Sequence, residues 1–332
     1  MQDPTRLIQN NRLRCKFEKK NTVLFFSLVD YRNNLFTSND PEKIIEFYDG
    51  FENRDQLIQW MKERPKGASY IHEVEGNKDI IVVIPTADFN GKYAINCREN
   101  IFKGLHMIFV ESGNGNYYFN YAHNCNVGIK RAMEYNPKWI VVSNDDMRKI
   151  DETQIMRDSL MKLNPNEVDV VFTKVSPDHY HSQPTYLGRP TFLGKIYHFL
   201  RKLSKKNFFS IAYTAENFTK KFYLNVILLP KHEIIKVFFY KIKPIYVTES
   251  FAILSESYVK LNNANILNES FCNGAEDWDL SYRTFYTNMK YDFVEYLIGE
   301  ETGGMLGTER DRALRDIANI SLFNQIHEND FK

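Results

Sequence analysis

The chain is 332 residues long, 43% hydrophobic and 26% charged, which is enough apolar material for a sizeable core in an α/β domain with insertions. Its formal net charge is +1, so overall charge selects neither an acidic nor a basic partner. Cys15, Cys97, Cys125 and Cys272 form no CxxC pair or zinc spacing and read as reduced thiols; residues 1–20 are too polar for a signal peptide, and the longest apolar runs fall well short of the roughly 20 residues that span a bilayer.

Residues 1–78 read as a small α/β appendage. A strand is expected over 22–29, a helix over 55–63 capped by Asn53 and stopped by Pro65, and a second strand over 69–74. The pattern sharpens at 79–86, D-I-I-V-V-I-P-T, an unbroken apolar run of the kind that lies buried on both faces in a parallel sheet. A weak helical stretch ends at Gly104. The next run, L-H-M-I-F-V-E-S-G over 105–113, ends in an acid and a turn. Asn120 opens a helix over 121–135 with Cys125, Ile129, Ala132 and Met133 on one stripe. A third apolar run, 138–143, ends in Asn144-Asp145-Asp146, and a fourth covers 168–175. Strands alternating with helices predict a mainly parallel sheet with right-handed crossovers. Ligands of such sheets sit beyond the carboxyl ends of the strands, which groups Thr86, Glu111 and 144–146 around one crevice.

Residues 189–243 differ in kind. They hold 12 Lys or Arg against two acids, Glu216 and Glu233, with aromatic residues throughout, and read as a basic insertion. Phe192, Ile196, Phe199, Leu200 and Leu203 recur at helical spacing, which suits a helix lying in an anionic membrane surface; the competing reading is a core helix with a solvated basic face. The strand pattern returns at 245–254. The stretch N-G-A-E-D-W-D-L-S-Y-R over 273–283 runs into a helix, and 308–326 is an amphipathic C-terminal helix.

Two acidic groups stand out chemically. Carboxylates at 144–146 can hold Mg²⁺ or Mn²⁺, hard cations that prefer oxygen and bridge to phosphates, although two acids after a strand are also common as solvated loop residues. Glu276-Asp277 offers a general base, although acids are also favoured at helix starts by the helix dipole. Displacement of a nucleoside diphosphate from an anomeric carbon uses both: a cation on the leaving-group side and a base on the acceptor side.

In combination, five segments resemble the inverting GT-A glycosyltransferases of family two, especially the rhamnosyltransferase-like members. I-V-V-I-P-T ending at Thr86 looks like the family's opening strand, and V-E-S-G at 110–113 stands at its V-D-x-G-S-like turn. N-C-N-V-G-I-K-R-A at 124–132 is similar to its N-x-G-x-x-x-A helix. S-N-D-D-M at 143–147 resembles the N-x-D metal motif, and F-C-N-G-A-E-D-W-D-L-S-Y-R at 271–283 resembles F-x-x-x-x-E-D-x-D-L-x-x-R. The likeness covers about 79–175 and 246–305. It implies a GT-A domain over 79–305 carrying the insertion, followed by a C-terminal helix over 306–332. It also implies sugar transfer, with inversion, from a UDP-, GDP- or dTDP-linked donor to a glycan or lipid-linked acceptor, on the cytoplasmic side or peripherally at the inner face of the membrane. Asp146 would bind the metal, with Asn144 and Asp145 beside it at the diphosphate. Pro85, Thr86, Ala87 and Glu111 would line the nucleoside pocket. Asp277 would be the general base, with Glu276 orienting the acceptor. Glu111 stands where the family usually has Asp, Glu249-Ser250 replaces a small Gly-Ala pair, and Glu300, in the stretch where a metal-binding His is usual, would serve as an oxygen ligand to the metal instead. An inactive nucleotide-sugar-binding member and a nucleotidyltransferase are the alternatives; nucleic acid is not expected as a partner.

Overall fold

The computed structural model describes residues 41–113, 118–173, 183–193, 196, 227–229, 240–248, 251–301 and 309–327. The strand expected over 22–29, residues Glu249-Ser250 and most of the basic insertion lie outside the described residues.

The chain begins its described course with two helices, α1 (Pro41–Asp49) and α2 (Arg54–Glu63). Asn53 caps α2 as its sequence predicts, its side chain accepting from the Gln56 backbone N–H. Strand β1 (Tyr70–Val74) turns directly into β2 (Asn77–Thr86). A short helix α3 (Lys92–Asn96), continued by a π-helical turn (Cys97–Ile101), leads to β3 (Leu105–Glu111), α4 (Tyr121–Met133) and β4 (Trp139–Ser143). Then come β5 (Met147–Lys149), α5 (Thr153–Leu160), β6 (Val170–Thr173), β7 (Gln183–Pro190), β8 (Ile227–Leu229), β9 (Tyr240–Val247), β10 (Phe251–Ser255), α6 (Glu256–Leu261), α7 (Glu276–Tyr286), β11 (Tyr291–Val294), β12 (Ile298–Glu300) and α8 (Glu309–His327).

The fold is α/β around a mixed, mostly parallel seven-stranded sheet of order β1-β3-β2-β4-β10-β6-β11. The pairings β3–β2, β2–β4 and β6–β11 are parallel; β1 and β10 run against their neighbours, leaving five strands in one direction. Period-two alternation sorts the apolar runs between the faces. Ile80, Val82 and Ile84 join Met107, Phe109, Trp139 and Val141 in one core, while Ile81 and Val83 join Ile108, Val110, Ile140 and Val142 under α4. Gly128 lets α4 lie on β2, because a Cβ there would overlap the Val83 side chain.

The run expected as one strand over 245–254 is divided. Its first part is β9, paired in a three-stranded sheet β8-β7-β9, and its second is β10, antiparallel in the central sheet. A third core belongs to neither sheet face alone. There α1 and α2 (Ile44, Phe47, Leu57, Met61) pack with α8 (Leu314, Ile317, Phe323) against Phe271 and Tyr282 at α7. Segments from both ends of the chain therefore meet on the helix that begins at Glu276.

Candidate functional site

From β2 the chain crosses to β3 on one side, while β4 lies on the other, so the carboxyl ends of β2 and β4 flank a topological switch point. The structure gathers the expected residues there in a row. Glu111 ends β3 opposite Thr86 in register at the end of β2. The Thr86 hydroxyl donates to Asp145 Oδ2 at 2.6 Å, joining β2 to the loop after β4. Pro85 and Thr86 are the last residues of β2, and Ala87 follows them directly.

The loop is closed from the far side by a ribbon too short to see in sequence. Strands β5 and β12 pair with Glu300 opposite Met147, the Glu301 N–H donates to the Asp146 carbonyl at 2.7 Å, and Asn144 Nδ2 donates to Glu300 Oε1 at 3.3 Å. Three carboxylates, Asp145, Asp146 and Glu300, thus converge. Burial, then the charges of Glu300 and Asp145, push the Asp146 carboxyl up to about 7. Burial also raises Asp145, against the hydrogen bond from Thr86. Among the described residues no cationic side chain pairs with Asp145 or Asp146. Crowded oxygen ligands of this kind suit a divalent cation, and Asp146 with Glu300 would hold it.

The β3 end of this row contains a residue that sequence reading missed. His72, on β1, lies with Nε2 2.6 Å from Glu111 Oε2, and its ring stacks on Phe89 at 4.4 Å with planes 5° apart. Nothing in the pattern of β1 singles out His72; only the antiparallel pairing of β1 with β3 delivers it.

The second acidic group starts α7. The preceding turn is left-handed at Asn273 (φ 52°) and Ala275 (φ 68°). It is tied to α4 by mutual bonds: the Tyr121 N–H donates to Asn273 Oδ1 at 2.9 Å, and Asn273 Nδ2 donates to the Phe119 carbonyl at 3.1 Å. Glu276 is 3% exposed, its Oε1 has no hydrogen-bond partner among the described residues, and burial with the neighbouring Asp277 charge pushes its carboxyl up to about 8. Burial raises Asp277 to about 6, with Asp316 adding to the rise and backbone N–H groups of the helix start opposing it. Asp277 lines a small, partly open cavity of about 20 Å³ together with Tyr121, Val142, Thr248, Ala252 and Leu280. Val142 is two residues before Asn144, so both acidic groups flank the end of β4.

The motif over 276–283 divides in its roles. Asp279 accepts from Arg283 Nε at 3.0 Å and lies 2.8 Å from His327 Nε2, while Arg283 Nη2 donates to the Ile266 carbonyl at 2.7 Å. Asp279 and Arg283 fasten α7 to α8 and to the loop before it. The N-x-G-x-x-x-A segment is likewise structural: Asn126 bonds Asn265, Leu267 and Glu269, and Gly128 meets Val83.

A further cluster, Glu73, Glu75 and His106, brings its ligand atoms within 4.8 Å of one another and can hold a metal ion. Its charges are already balanced, however. Arg131 and Tyr135 each donate to Glu73 at 2.6 Å, and Lys78 lies 3.2 Å from Glu75. These contacts brace β1 against β3 and α4. Among the described residues no helix is long and apolar enough to cross a membrane. No protein-family model matches the chain, and no curated protein matches it.

Proposed function

We propose that this protein is a metal-assisted, inverting GT-A glycosyltransferase that uses a nucleotide-sugar donor. One observation carries the reading: two separate acidic groups, one built on the raised carboxyls of Asp145 and Asp146 with Glu300 beside them and the other on the raised carboxyls of Glu276 and Asp277, flank the end of one buried strand at the switch point of the sheet. Sugar transfer asks for that division of labour. Asp146 and Glu300, with Asn144 and Asp145 beside them, would hold a Mg²⁺ or Mn²⁺ ion, which would supply charge neutralisation for the departing diphosphate. Pro85, Thr86, Ala87 and Glu111 receive the nucleoside. Asp277 takes the proton of the acceptor hydroxyl as its oxygen attacks the anomeric carbon. The bond from that carbon to the phosphate oxygen breaks on the opposite face, and the configuration inverts. Glu276, protonated at neutral pH, donates a hydrogen bond toward the acceptor.

A base held near 6 has a defined pH dependence. It works only when ionised, so the acid limb of the rate profile rises through about pH 6. The acceptor is a glycan or a lipid-linked sugar. Phe192, Leu193 and Ile196, at the start of the basic insertion, are exposed large apolar residues, and this supports docking of residues 189–243 on an anionic membrane surface.

Calorimetric titration with UDP, GDP and dTDP, with and without Mn²⁺, tests the reading. Binding of at least one nucleotide that depends on the metal is expected; the absence of binding by all three would overturn it.

A further inference from the structure

The loop that presents Glu276 and Asp277 does not hold its own shape. Two of its residues are left-handed without being glycine, a conformation that persists only where surroundings impose it. On one side α4 supplies the Asn273 bonds described above. On the other side stands α8. Asn319, 1% exposed, grips the loop backbone at Cys272 with both atoms of its amide: Oδ1 accepts from the Cys272 N–H at 2.8 Å and Nδ2 faces the Cys272 carbonyl at 3.4 Å. The approach is close enough that a Cβ on Gly274 would stand 2.8 Å from Asn319 Nδ2 and 3.3 Å from Asp316 Oδ1. Asp316 therefore lies against the loop backbone two residues before Glu276.

The same helix is itself fixed at three places. Tyr48 on α1 donates its hydroxyl to the Leu314 carbonyl at 2.6 Å, His327 meets Asp279, and Leu314, Ile317, Leu322 and Phe323 are buried against α1, α2 and α7. A rigid support one helix away sets the loop's geometry more precisely than the loop could alone.

We propose that α8 is a working part of the site, with Asn319 and Asp316 as positioning residues that hold the 271–275 loop so that Asp277 faces the acceptor cavity. The proposal rests on the glycosyltransferase reading for what Asp277 does there, but not for how it is held. Asp316 also acts through its charge. The ionisable groups that bear on Asp277 and its neighbour among the described residues are Asp316 from α8, Glu276 beside it, Tyr121 and Cys125 from α4, Cys272 in the loop, and Arg64 just after α2, whose charge lowers Glu276. Asp316 is the one of these that adds to the rise of Asp277.

The test needs no substrate. A water-soluble carbodiimide with glycine ethyl ester modifies protonated carboxyls, and peptide mass spectrometry follows Asp277 across pH in the full chain. In the unmodified protein the midpoint for Asp277 is expected near the raised value. Asp316→Asn should lower it by about half a pH unit, the size of one screened charge removed. Asn319→Ala should lower it too, as the loop loosens and water enters, and should speed hydrogen exchange at 272–277. Ser321→Ala is the control: this buried hydroxyl on the same helix donates only to the Ile317 carbonyl at 2.7 Å, and its loss should leave the midpoint in place. Should Asn319→Ala fail to fold, Asp316→Asn decides the matter. An unchanged midpoint in Asp316→Asn overturns the proposal, as does a shift of equal size in Ser321→Ala. A midpoint shift in a protein that binds no nucleotide would leave α8 as the loop's support and remove only the transferase reading.

Discussion

The molecule contains acids of two conditions, and α7 holds both within one turn. Asp279 has its charge met by Arg283 and lies 2.8 Å from His327 Nε2, while Asp277, two residues earlier, has backbone N–H groups and no cationic partner among the described residues. The same contrast separates two larger clusters. Glu73 and Glu75 are matched by Arg131 and Lys78, and hydrogen bonds from Tyr135 and Arg131 outweigh burial to hold the Glu73 carboxyl below its usual range. Asp145, Asp146 and Glu300 converge with Asp146 pushed up to about 7. A met charge stabilises the fold it sits in. An unmet one raises the energy of the folded state and is explained by what it binds or by the proton it moves.

The contrast can be broken at α7 first. Asp279→Asn removes the carboxylate charge paired with Arg283 and turns one of its two acceptor oxygens into a donor, a change that typically costs about 3–5 kcal/mol. Urea denaturation should show a loss of that order, with the unfolded chain otherwise normal. Asp277→Asn should do the reverse: turnover falls at least about a hundredfold, the usual lower range for a lost general base, while the midpoint of unfolding stays level or rises. If Asp277→Asn unfolds the protein and Asp279→Asn does not, the division between met and unmet acids is wrong.

The strand-end clusters give a matched pair of smaller effects. Asp146→Asn should weaken nucleotide binding in the presence of Mn²⁺ at least about tenfold in calorimetry, or about 1.4 kcal/mol, and leave metal-free binding unchanged. Glu73→Gln, in the cluster that can also hold an ion, should leave that Mn²⁺-dependent affinity alone and lower stability only slightly, because the lost Arg131 pair is screened by solvent. Loss of nucleotide affinity from Glu73→Gln would move the metal centre to β1.

What was legible in the sequence follows the same physics. Strands β2, β3, β4 and β6 read directly because both faces are covered, so their runs are apolar apart from the buried His106 in β3. The helix starts at Asn53 and Asn120 read because capping is local. The acids at 144–146 and 276–277 were visible as candidates, but not their surroundings. Glu300 reaches Asn144 only through the three-residue pairing of β5 with β12, which is too short to show a period, and the role of Asn319 depends on a contact across 47 residues. The run over 245–254 was misread as one strand because β9 and β10 are both apolar; the break between them is a change of sheet, which no periodicity marks.

The effect at Glu276 is the most diagnostic, because its sign runs against ordinary expectation. Glu276 is nearly inaccessible, and burial pushes its carboxyl from 4.5 to about 8. Below pH 4.5 the group is neutral in both folded and unfolded chains and makes no difference. Between 4.5 and 8 the unfolded chain releases this proton while the folded chain keeps it. The unfolded state is favoured increasingly over that window, and stability falls as pH rises. Above 8 the deficit is constant. Glu276→Gln keeps the shape and the hydrogen-bonding capacity but removes the titration, so at pH 7 the variant should be more stable than the parent by about 1–3 kcal/mol. The gain should grow between pH 5 and pH 8 in thermal or urea unfolding. A gain of equal size at pH 5 and pH 7.5 would assign the effect to packing, and a loss at pH 7 would mean that Glu276 is a met charge like Asp279. If the gain appears together with reduced transfer, Glu276 is retained at the expense of stability, as expected of a group that serves the acceptor rather than the fold.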